Sequence, residues 1–422
     1  MITARAFAGK HYGVYGLARS GLATVEALLA SGARVTAWDG KEEARTKLPG
    51  GAELANLDQV DLSQFDSLVV TPGLPLNRHP IAERARNAGV EIIGDIELFA
   101  RARSGLPPHK VVGITGTNGK STTTALVHHI LKTAGVPATM GGNIGLPILA
   151  QDPLLEGGVY VLELSSYQLD LTQSLDCDVA VLLNITPDHL DRYESFEAYA
   201  ASKHRLISMQ SAENYALLNW DLFIGAVLNP VAGFNGIHLP KDADQASWPA
   251  LQGPHNAQNA AAAIGVCTWL CIDGSVIEQG LRTYPGLPHR MERTREKDGV
   301  TFVNDSKATN PTATAPALAA FPAIRWILGG QAKSDNLDEC APHFGHVRAA
   351  YTIGEAGELF AALLKPHMPV EECKTLENAV NRAAEDSQPG DTVLLSPACA
   401  SFDQFRDFEQ RGDRFRELVG AL

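Results

Sequence analysis

Short apolar runs bounded by glycine, proline or a charge alternate along this chain with longer stretches in which apolar residues recur at helical spacing. Runs that are apolar throughout, without polar alternation, predict strands buried on both faces of a parallel sheet, and their alternation with helices predicts an α/β fold. The first such unit has a strand around 12–15, a glycine turn, a helix reaching Ala30 and a second strand over 34–38 that ends in Asp39; strands at 67–71 and 91–94 follow. A second series places strands at 111–112, 159–164 and 179–184, with helices over 125–134 and 256–270. A third places strands at 301–304, 324–328, 349–353 and 392–395. The last element, 403–422, carries Phe405, Phe408, Phe415, Leu418 and Leu422 near helical spacing, the stripe of a packed terminal helix.

Two breaks divide these series. Residues 101–109 hold two prolines and no apolar periodicity and read as a linker, and Tyr284-Pro-Gly-Leu-Pro288 is the second break. A chain of 422 residues exceeds one ordinary core, so several α/β domains are expected.

Charge and cysteine content narrow the class. A net charge of -13 disfavours nucleic acid or an anionic membrane surface as partner, so an anionic ligand has to be held by local cations and backbone dipoles. The six cysteines form no CxxC pair, which fits a reduced cytoplasmic setting; Cys267 and Cys271, four apart on a helix, read as core. The N-terminus has no signal-type apolar region, and the longest uncharged apolar stretch, 260–272, is too short to span a bilayer.

The strongest chemical signal is Gly113-Ile-Thr-Gly-Thr-Asn-Gly-Lys-Ser-Thr122 between a strand and a helix. Glycines let backbone N–H groups turn towards an anion, Lys120 adds a cation for the β/γ-phosphates, and the hydroxyl of Ser121 or Thr122 suits Mg²⁺. Ile114 stands where the common phosphate loop has glycine, and the glycines fall at 113, 116 and 119 instead. The first-unit pattern Gly13-x-x-Gly16-x-x-x-x-Gly21 departs from the dinucleotide fingerprint; another nucleotide, a nucleotide-sugar or purely structural glycines remain open there.

Other candidates sit where α/β sheets present ligand groups, at the carboxyl ends of strands. Glu163 ends one strand and suits a magnesium ligand; Asp188, His189 and Asp191 follow the next. Lys203 by itself reads as a solvated helix lysine, and Asn256 serves equally as a helix N-cap or, with Asn259, as a nucleotide contact. In the third series a buried Asp305 beside Lys307 predicts a charge pair, Arg290 and Lys333 offer cations near glycine-rich turns, and Leu395-Ser-Pro-Ala-Cys-Ala-Ser401 offers a backbone nest for a carboxylate.

Read in order, residues 113–122, Glu163-Leu-Ser-Ser-Tyr-Gln168, 184–192, His255-Asn-x-x-Asn259, Pro288-His-Arg290, 304–310 and 396–405 resemble the Mur ligases of peptidoglycan synthesis over essentially the whole chain. The strings Asn304-Asp-Ser-Lys-Ala-Thr-Asn310 and Ser396-Pro-Ala-Cys-Ala-Ser-x-Asp-Gln-Phe405 are similar to those of the members that add D-glutamate. The resemblance implies a Rossmann-like UDP-sugar domain (1–98), a central P-loop ATPase domain with a mainly parallel sheet (99–287) and a Rossmann-like C-terminal domain with the amino-acid site (288–422). It implies an ATP-dependent ligase that joins D-glutamate to the carboxylate of UDP-N-acetylmuramoyl-L-alanine through an acyl phosphate, acting as a monomer in the cytoplasm. A folylpolyglutamate synthase of the same architecture, a nucleotide-sensing protein without turnover and a nicotinamide-dependent oxidoreductase are the alternatives.

The same resemblance carries site residues over. Gly116, Thr117, Asn118, Gly119, Lys120, Ser121, Thr122, Asn256, Asn259, Arg290 and Asp305 match ATP-binding positions. Ser121, Thr122 and Glu163 match ligands of one Mg²⁺, and His189 and Lys203, the latter carbamylated in the family, match a second; Lys120, His189 and Lys203 are the implied catalytic residues. Arg19, Ser20, Asp39 and Asn143 match the UDP-sugar site, where Gly40-Lys41 departs from the Thr-Arg of some relatives and loses the bidentate fork of arginine. Lys333, Thr309, Ser401 and Phe408 match the D-glutamate pocket.

Overall fold

The structure, a computed structural model, describes residues 1–188, 192–219 and 233–422. Among them lie three sheets, each wrapped by helices: the α/β class that the apolar runs predict. In chain order the first sheet contains β1 (His11–Tyr15), β2 (Arg34–Trp38), β3 (Glu53–Leu54), β4 (Ser67–Val70) and β5 (Glu91–Ile93). The second contains β6 (His109–Thr115), β7 (Ala138–Gly142), β8 (Gly158–Glu163), β9 (Val179–Leu182), β10 (Tyr215–Leu218) and β11 (Gly233–Gly236). The third contains β12 (Glu292–Lys297), β13 (Val300–Asn304), β14 (Ile324–Gly329), β15 (Val347–Ile353), β16 (Val370–Lys374) and β17 (Thr392–Leu395).

The spatial orders are β3-β2-β1-β4-β5, β11-β10-β9-β6-β8-β7 and β12-β13-β17-β14-β15-β16. Every pairing is parallel except β12 with β13. The central strands β1, β4, β8, β9 and β17 are buried along their whole length, so each needs apolar side chains on both faces. The chain leaves β1 and β4 in opposite directions in the first sheet, and β6 and β9 in the second, and the carboxyl ends beside such a reversal are where α/β sheets bind ligands.

The chain packs as two compact units, Met1–His238 with Ala261–Gly280, and Leu239–Ala260 with Leu281–Leu422. The first unit holds the first two sheets, the second holds the third.

Local chemistry sets several boundaries differently from the periodicity. Arg101 and Ala102 belong to the helix Asp95–Ala102 rather than to a linker; Arg101 is held there by Glu97 and Glu91 at 2.8 and 2.6 Å. The long helix runs Pro254–Trp269, so Asn256 sits inside its first turn and is not its N-cap. The terminal helix begins at Phe408 because the carboxylate of Asp407 accepts the Gln410 N–H at 2.7 Å; 403–407 form a turn. Cys267 is buried as core, whereas Cys271 is exposed with φ 60°. The first-unit glycines are structural at least in part: a Cβ on Gly21 would lie 1.8 Å from the Gly16 carbonyl oxygen.

Candidate active site

β6 delivers the chain to Gly116, whose φ of 153° and a would-be Cβ only 3.1 Å from Leu183 Cβ both call for glycine. Gly119, at φ 84°, caps the helix Lys120–Thr133. Asn184, beyond the end of β9, holds the loop open from the side. Its carbonyl accepts the Thr117 N–H (2.9 Å), its Oδ1 accepts the Asn118 N–H (2.8 Å), and its Nδ2 donates to the Asn118 carbonyl (3.1 Å). Thr117 Oγ1 accepts the Thr186 N–H at 3.0 Å and lies 3.0 Å from the Tyr199 hydroxyl. The result is a rigid cradle at a helix N-terminus, where dipole and N–H groups favour an anion.

Two ammonium groups meet at this cradle. Lys120 Nζ donates to the carbonyls of Gly116 (2.9 Å) and Thr117 (2.8 Å), and Lys203 Nζ donates to the same Gly116 carbonyl (2.9 Å). Lys203 is only 2% exposed, with its Nζ 4.7 Å from the centre of the Tyr199 ring, so the solvated reading does not hold. Burial first, then the charge of Lys120, push its pKa down to about 7, against the opposing pull of Asp188 and Asp170. A large share of this amine is therefore neutral near pH 7.

Glu163, at the end of β8, is 2% exposed. Its Oε1 accepts from Asn143 Nδ2 at 2.9 Å, while the buried Oε2 has no hydrogen-bond partner. An unsatisfied buried carboxylate oxygen is costly, and a cation is the partner that resolves it. Ser121 is buried in the first turn of the loop helix, and Thr122 is half-buried beside it. The donor set thus fits a magnesium ion. Among the described residues no three His, Cys, Asp or Glu side chains converge; His189 and Asp191 lie outside them.

The residues matched to the UDP-sugar lie in the same unit. Asp39 accepts the N–H groups of Leu17 (2.7 Å) and Lys41 (2.8 Å) and so fixes both first-domain loops. Arg19 donates to the Gly145 carbonyl at 2.6 Å, and Ser20 lines a small cavity with Thr71 and Asp95. Asn143 reaches Glu163 by both side chain and backbone, its N–H donating to the Glu163 carbonyl at 2.9 Å. Arg192, which residue chemistry did not single out, packs 4.3 Å over Tyr167 and donates to the Leu74 carbonyl at 3.0 Å.

In the second unit, Asp305 accepts from the Met291 N–H (3.1 Å) and the Ser396 hydroxyl (2.8 Å). Desolvation pushes its pKa up to about 7, and the cation opposing that rise is Arg290. Lys307, the expected partner, instead sets its ammonium 3.7 Å from the centre of the Phe408 ring. Ser401 is 2% exposed, and its carbonyl accepts the N–H groups of Gln404 and Phe405. Lys333 follows the Gly329-Gly330 turn, and Thr309 precedes the Asn310-capped helix Pro311–Ala319. Asn256 and Asn259 are buried, Asn259 Nδ2 donating to Asn256 Oδ1 at 3.1 Å.

Arg411 went unmarked in the sequence, yet it ties these turns together. Only 1% exposed, it donates to the carbonyls of Ser306 (2.9 Å), Cys399 (3.0 Å) and Ala400 (3.3 Å) and to Ser306 Oγ (3.0 Å). Burial pulls its pKa down to about 10. Its position in the stripe Phe408, Arg411, Phe415, Leu418 was the available signal: an arginine on an apolar helix face has to be buried on polar partners.

A strand feeding a phosphate cradle, a buried lysine beside it and an unsatisfied carboxylate at the end of the neighbouring strand, all within the first unit, have the chemistry of an ATP-using enzyme, in a chain of three α/β sheets. Family models agree along the chain: a Mur ligase MurD-like N-terminal domain matches residues 10–94, a Mur ligase middle domain 114–237, and a Mur ligase glutamate ligase domain 289–399. The chain belongs to the Mur ligase family. It is 61% identical to a UDP-N-acetylmuramoylalanine--D-glutamate ligase of Novosphingobium aromaticivorans, covering 100% of this chain and 97% of that one. It is 59% identical to a ligase of the same description from Sphingopyxis alaskensis over 100% of both chains. In fold it is similar to a MurF ligase from Thermotoga maritima in complex with ADP, with a TM-score of 0.61, 17% identity and coverage of 99% and 97%. Among the described residues no helix is long and apolar enough to cross a membrane.

Proposed function

We propose that this chain joins D-glutamate to UDP-N-acetylmuramoyl-L-alanine at the expense of ATP, in peptidoglycan precursor synthesis. The observation that carries the reading is the full-length identity of 61% to a ligase of that description, together with an intact phosphate cradle at Gly116–Lys120. A free carboxylate does not form an amide at neutral pH without activation. Its oxygen attacks the γ-phosphorus as the bond to ADP breaks; the glutamate amine then attacks the acyl phosphate carbonyl, phosphate leaves, and the amine proton passes to solvent or base.

Lys120 and the loop N–H groups hold the phosphates and offset charge as it moves to the leaving oxygen. Ser121, Thr122 and Glu163 would hold one Mg²⁺, with Asn143 fixing the Glu163 carboxylate through Oε1. His189 and Lys203 would hold a second. When bound, Mg²⁺ polarises the phosphoryl oxygens and neutralises their charge. Lys203 suits carbamylation because CO₂ adds only to a neutral amine, and burial makes its amine neutral; the product is an anionic ligand in place of a repelling ammonium.

Asn256, Asn259, Arg290 and Asp305 are assigned to the nucleotide, Arg19, Ser20, Asp39 and Asn143 to the UDP-sugar, and Lys333, Thr309, Ser401 and Phe408 to D-glutamate, by their match to the family strings. Lys333 is the cation for a glutamate carboxylate. The monomer is taken as the working unit, in the cytoplasm where ATP and the UDP-sugar are made. Phosphate release measured with UDP-N-acetylmuramoyl-L-alanine plus D-glutamate, against a folate plus L-glutamate, separates this reading from a folylpolyglutamate synthase.

A further inference from the structure

The strand β2 ends at Trp38, whose carbonyl accepts the Gly16 N–H at 2.8 Å, so the end of β2 lies beside the glycine turn that follows β1. In a Rossmann-like unit the phosphates sit at that turn, and an acidic residue at the end of the second strand takes the ribose. Asp39 has the position but is committed to the backbone: Oδ2 accepts the Leu17 N–H at 2.7 Å and Oδ1 the Lys41 N–H at 2.8 Å. It fixes the two loops that frame a nucleoside and is poorly placed to read one. Lys41, where some relatives carry arginine, is exposed and lacks the planar fork.

A guanidinium reaches the same place from another position. Arg45, at the end of the short helix Glu42–Arg45, turns back over β2: its guanidinium carbon lies 4.5 Å from the centre of the Trp38 ring, and Nη1 donates to the Asp39 carbonyl at 3.1 Å. Stacking fixes the plane of the fork and the single hydrogen bond fixes its direction. Among the described residues Nε and Nη2 donate to nothing, and no carboxylate pairs with Arg45. Arg45 and Trp38 are both half-buried. The loop next to them is open: a Cβ on Gly40 would meet no atom within 4 Å.

We propose that Arg45, held on Trp38, is the specificity residue for the uracil of the UDP-sugar, its remaining N–H groups donating to the O4 carbonyl of the base. The inference rests on the reading that the first unit binds a UDP-sugar, and adds the residue that reads the base. Cytosine carries an amino group where uracil has O4, so the same guanidinium meets it donor against donor. A site built to donate to a carbonyl rejects the analogue that lacks it. If Arg45 instead serves the phosphates, or only ties down the Asp39 loop, it favours uridine and cytidine nucleotides equally.

The test is calorimetric titration of UDP and of CDP into the full chain holding saturating ADP and Mg²⁺, which fill the phosphate cradle, on the parent, Arg45→Lys and Arg45→Met. The parent should bind UDP at least about tenfold more tightly than CDP, the scale of one charged hydrogen bond. In both variants UDP should weaken about tenfold or more while CDP stays within about twofold, so the preference disappears. Arg45→Lys keeps the charge and loses the fork, which separates recognition by the guanidinium from charge alone. Circular dichroism verifies folding; if Arg45→Met folds poorly, Arg45→Lys decides alone. In steady-state phosphate release the KM for UDP-N-acetylmuramoyl-L-alanine should rise by the same factor as the UDP affinity falls, with those for ATP and D-glutamate unchanged. No preference for UDP in the parent, undiminished UDP affinity in the variants, or a loss shared equally by UDP and CDP overturns the proposal. Phosphate release by the parent judges the ligase reading separately: turnover by the parent together with full UDP affinity in the variants contradicts this assignment alone.

Discussion

Lys120 Nζ and Lys203 Nζ share one acceptor, the carbonyl oxygen of Gly116, each at 2.9 Å. Burial first, and then the repulsion between these two cations, pushes the pKa of the deeper one down to about 7. Lys120 thus adds to the burial that favours a neutral amine at Lys203, the form that the proposed carbamate requires.

Replacing that neighbour is informative. Lys203→Ala should lower phosphate release by about 10²-fold or more, the scale of losing a metal ligand or its support. Acetate or formate should restore part of the activity by supplying the missing oxygens. Steady-state phosphate release with and without added carboxylate checks this; full activity in the variant counts against the carbamate.

Two buried groups give opposite pH signatures. Lys203 has a folded pKa near 7 against 10.5 when free, so between these values the unfolded chain binds more protons and stability rises with pH. Asp305 has a folded pKa near 7 against 3.8, so the folded chain binds more protons in that window and stability falls as pH rises from about 4 to about 7. Urea unfolding in CO₂-free buffer across both windows should show Lys203→Met removing the first slope and Asp305→Asn the second.

Glu163→Gln keeps an oxygen for Asn143 and removes the stranded charge. The protein should melt no lower than the parent, while the Mg²⁺ concentration for half-maximal phosphate release rises about 10–100-fold. An unchanged Mg²⁺ dependence would remove Glu163 from the ligand set.

Arg411→Lys retains the charge but loses the fork that spans Ser306, Cys399 and Ala400. Unfolding free energy should fall by about 2–4 kcal/mol, since several buried carbonyls lose their donor. The KM for D-glutamate should rise more than that for ATP, because the two clasped turns lead into Thr309 and Ser401. Paired KM measurements test the split.

The strands easiest to find in the sequence are those buried on both faces, such as β9, apolar throughout, and β17, apolar after Thr392. Missed were β10, β11 and β16, the two-residue β3, the glycine-bearing β7 and the charged edge strand β12, whose Glu292-Arg-Thr-Arg-Glu-Lys297 has little apolar face to show. The phosphate loop was legible because its geometry is local, from one strand to one helix. Lys203 was not, because its burial depends on β6 and Gly116, far away in sequence. Asp305 was read as a pair with Lys307 on proximity in sequence, whereas the fold turns it to Met291 and Ser396.

Phosphate release in the presence of ATP, Mg²⁺ and UDP-N-acetylmuramoyl-L-alanine, with D-glutamate or L-glutamate as the only amine, tests the central claim most directly. The account predicts rapid release with D-glutamate, background release with L-glutamate, and none above background for Lys120→Ala with either. Equal turnover of both enantiomers, or turnover undiminished in Lys120→Ala, would contradict it.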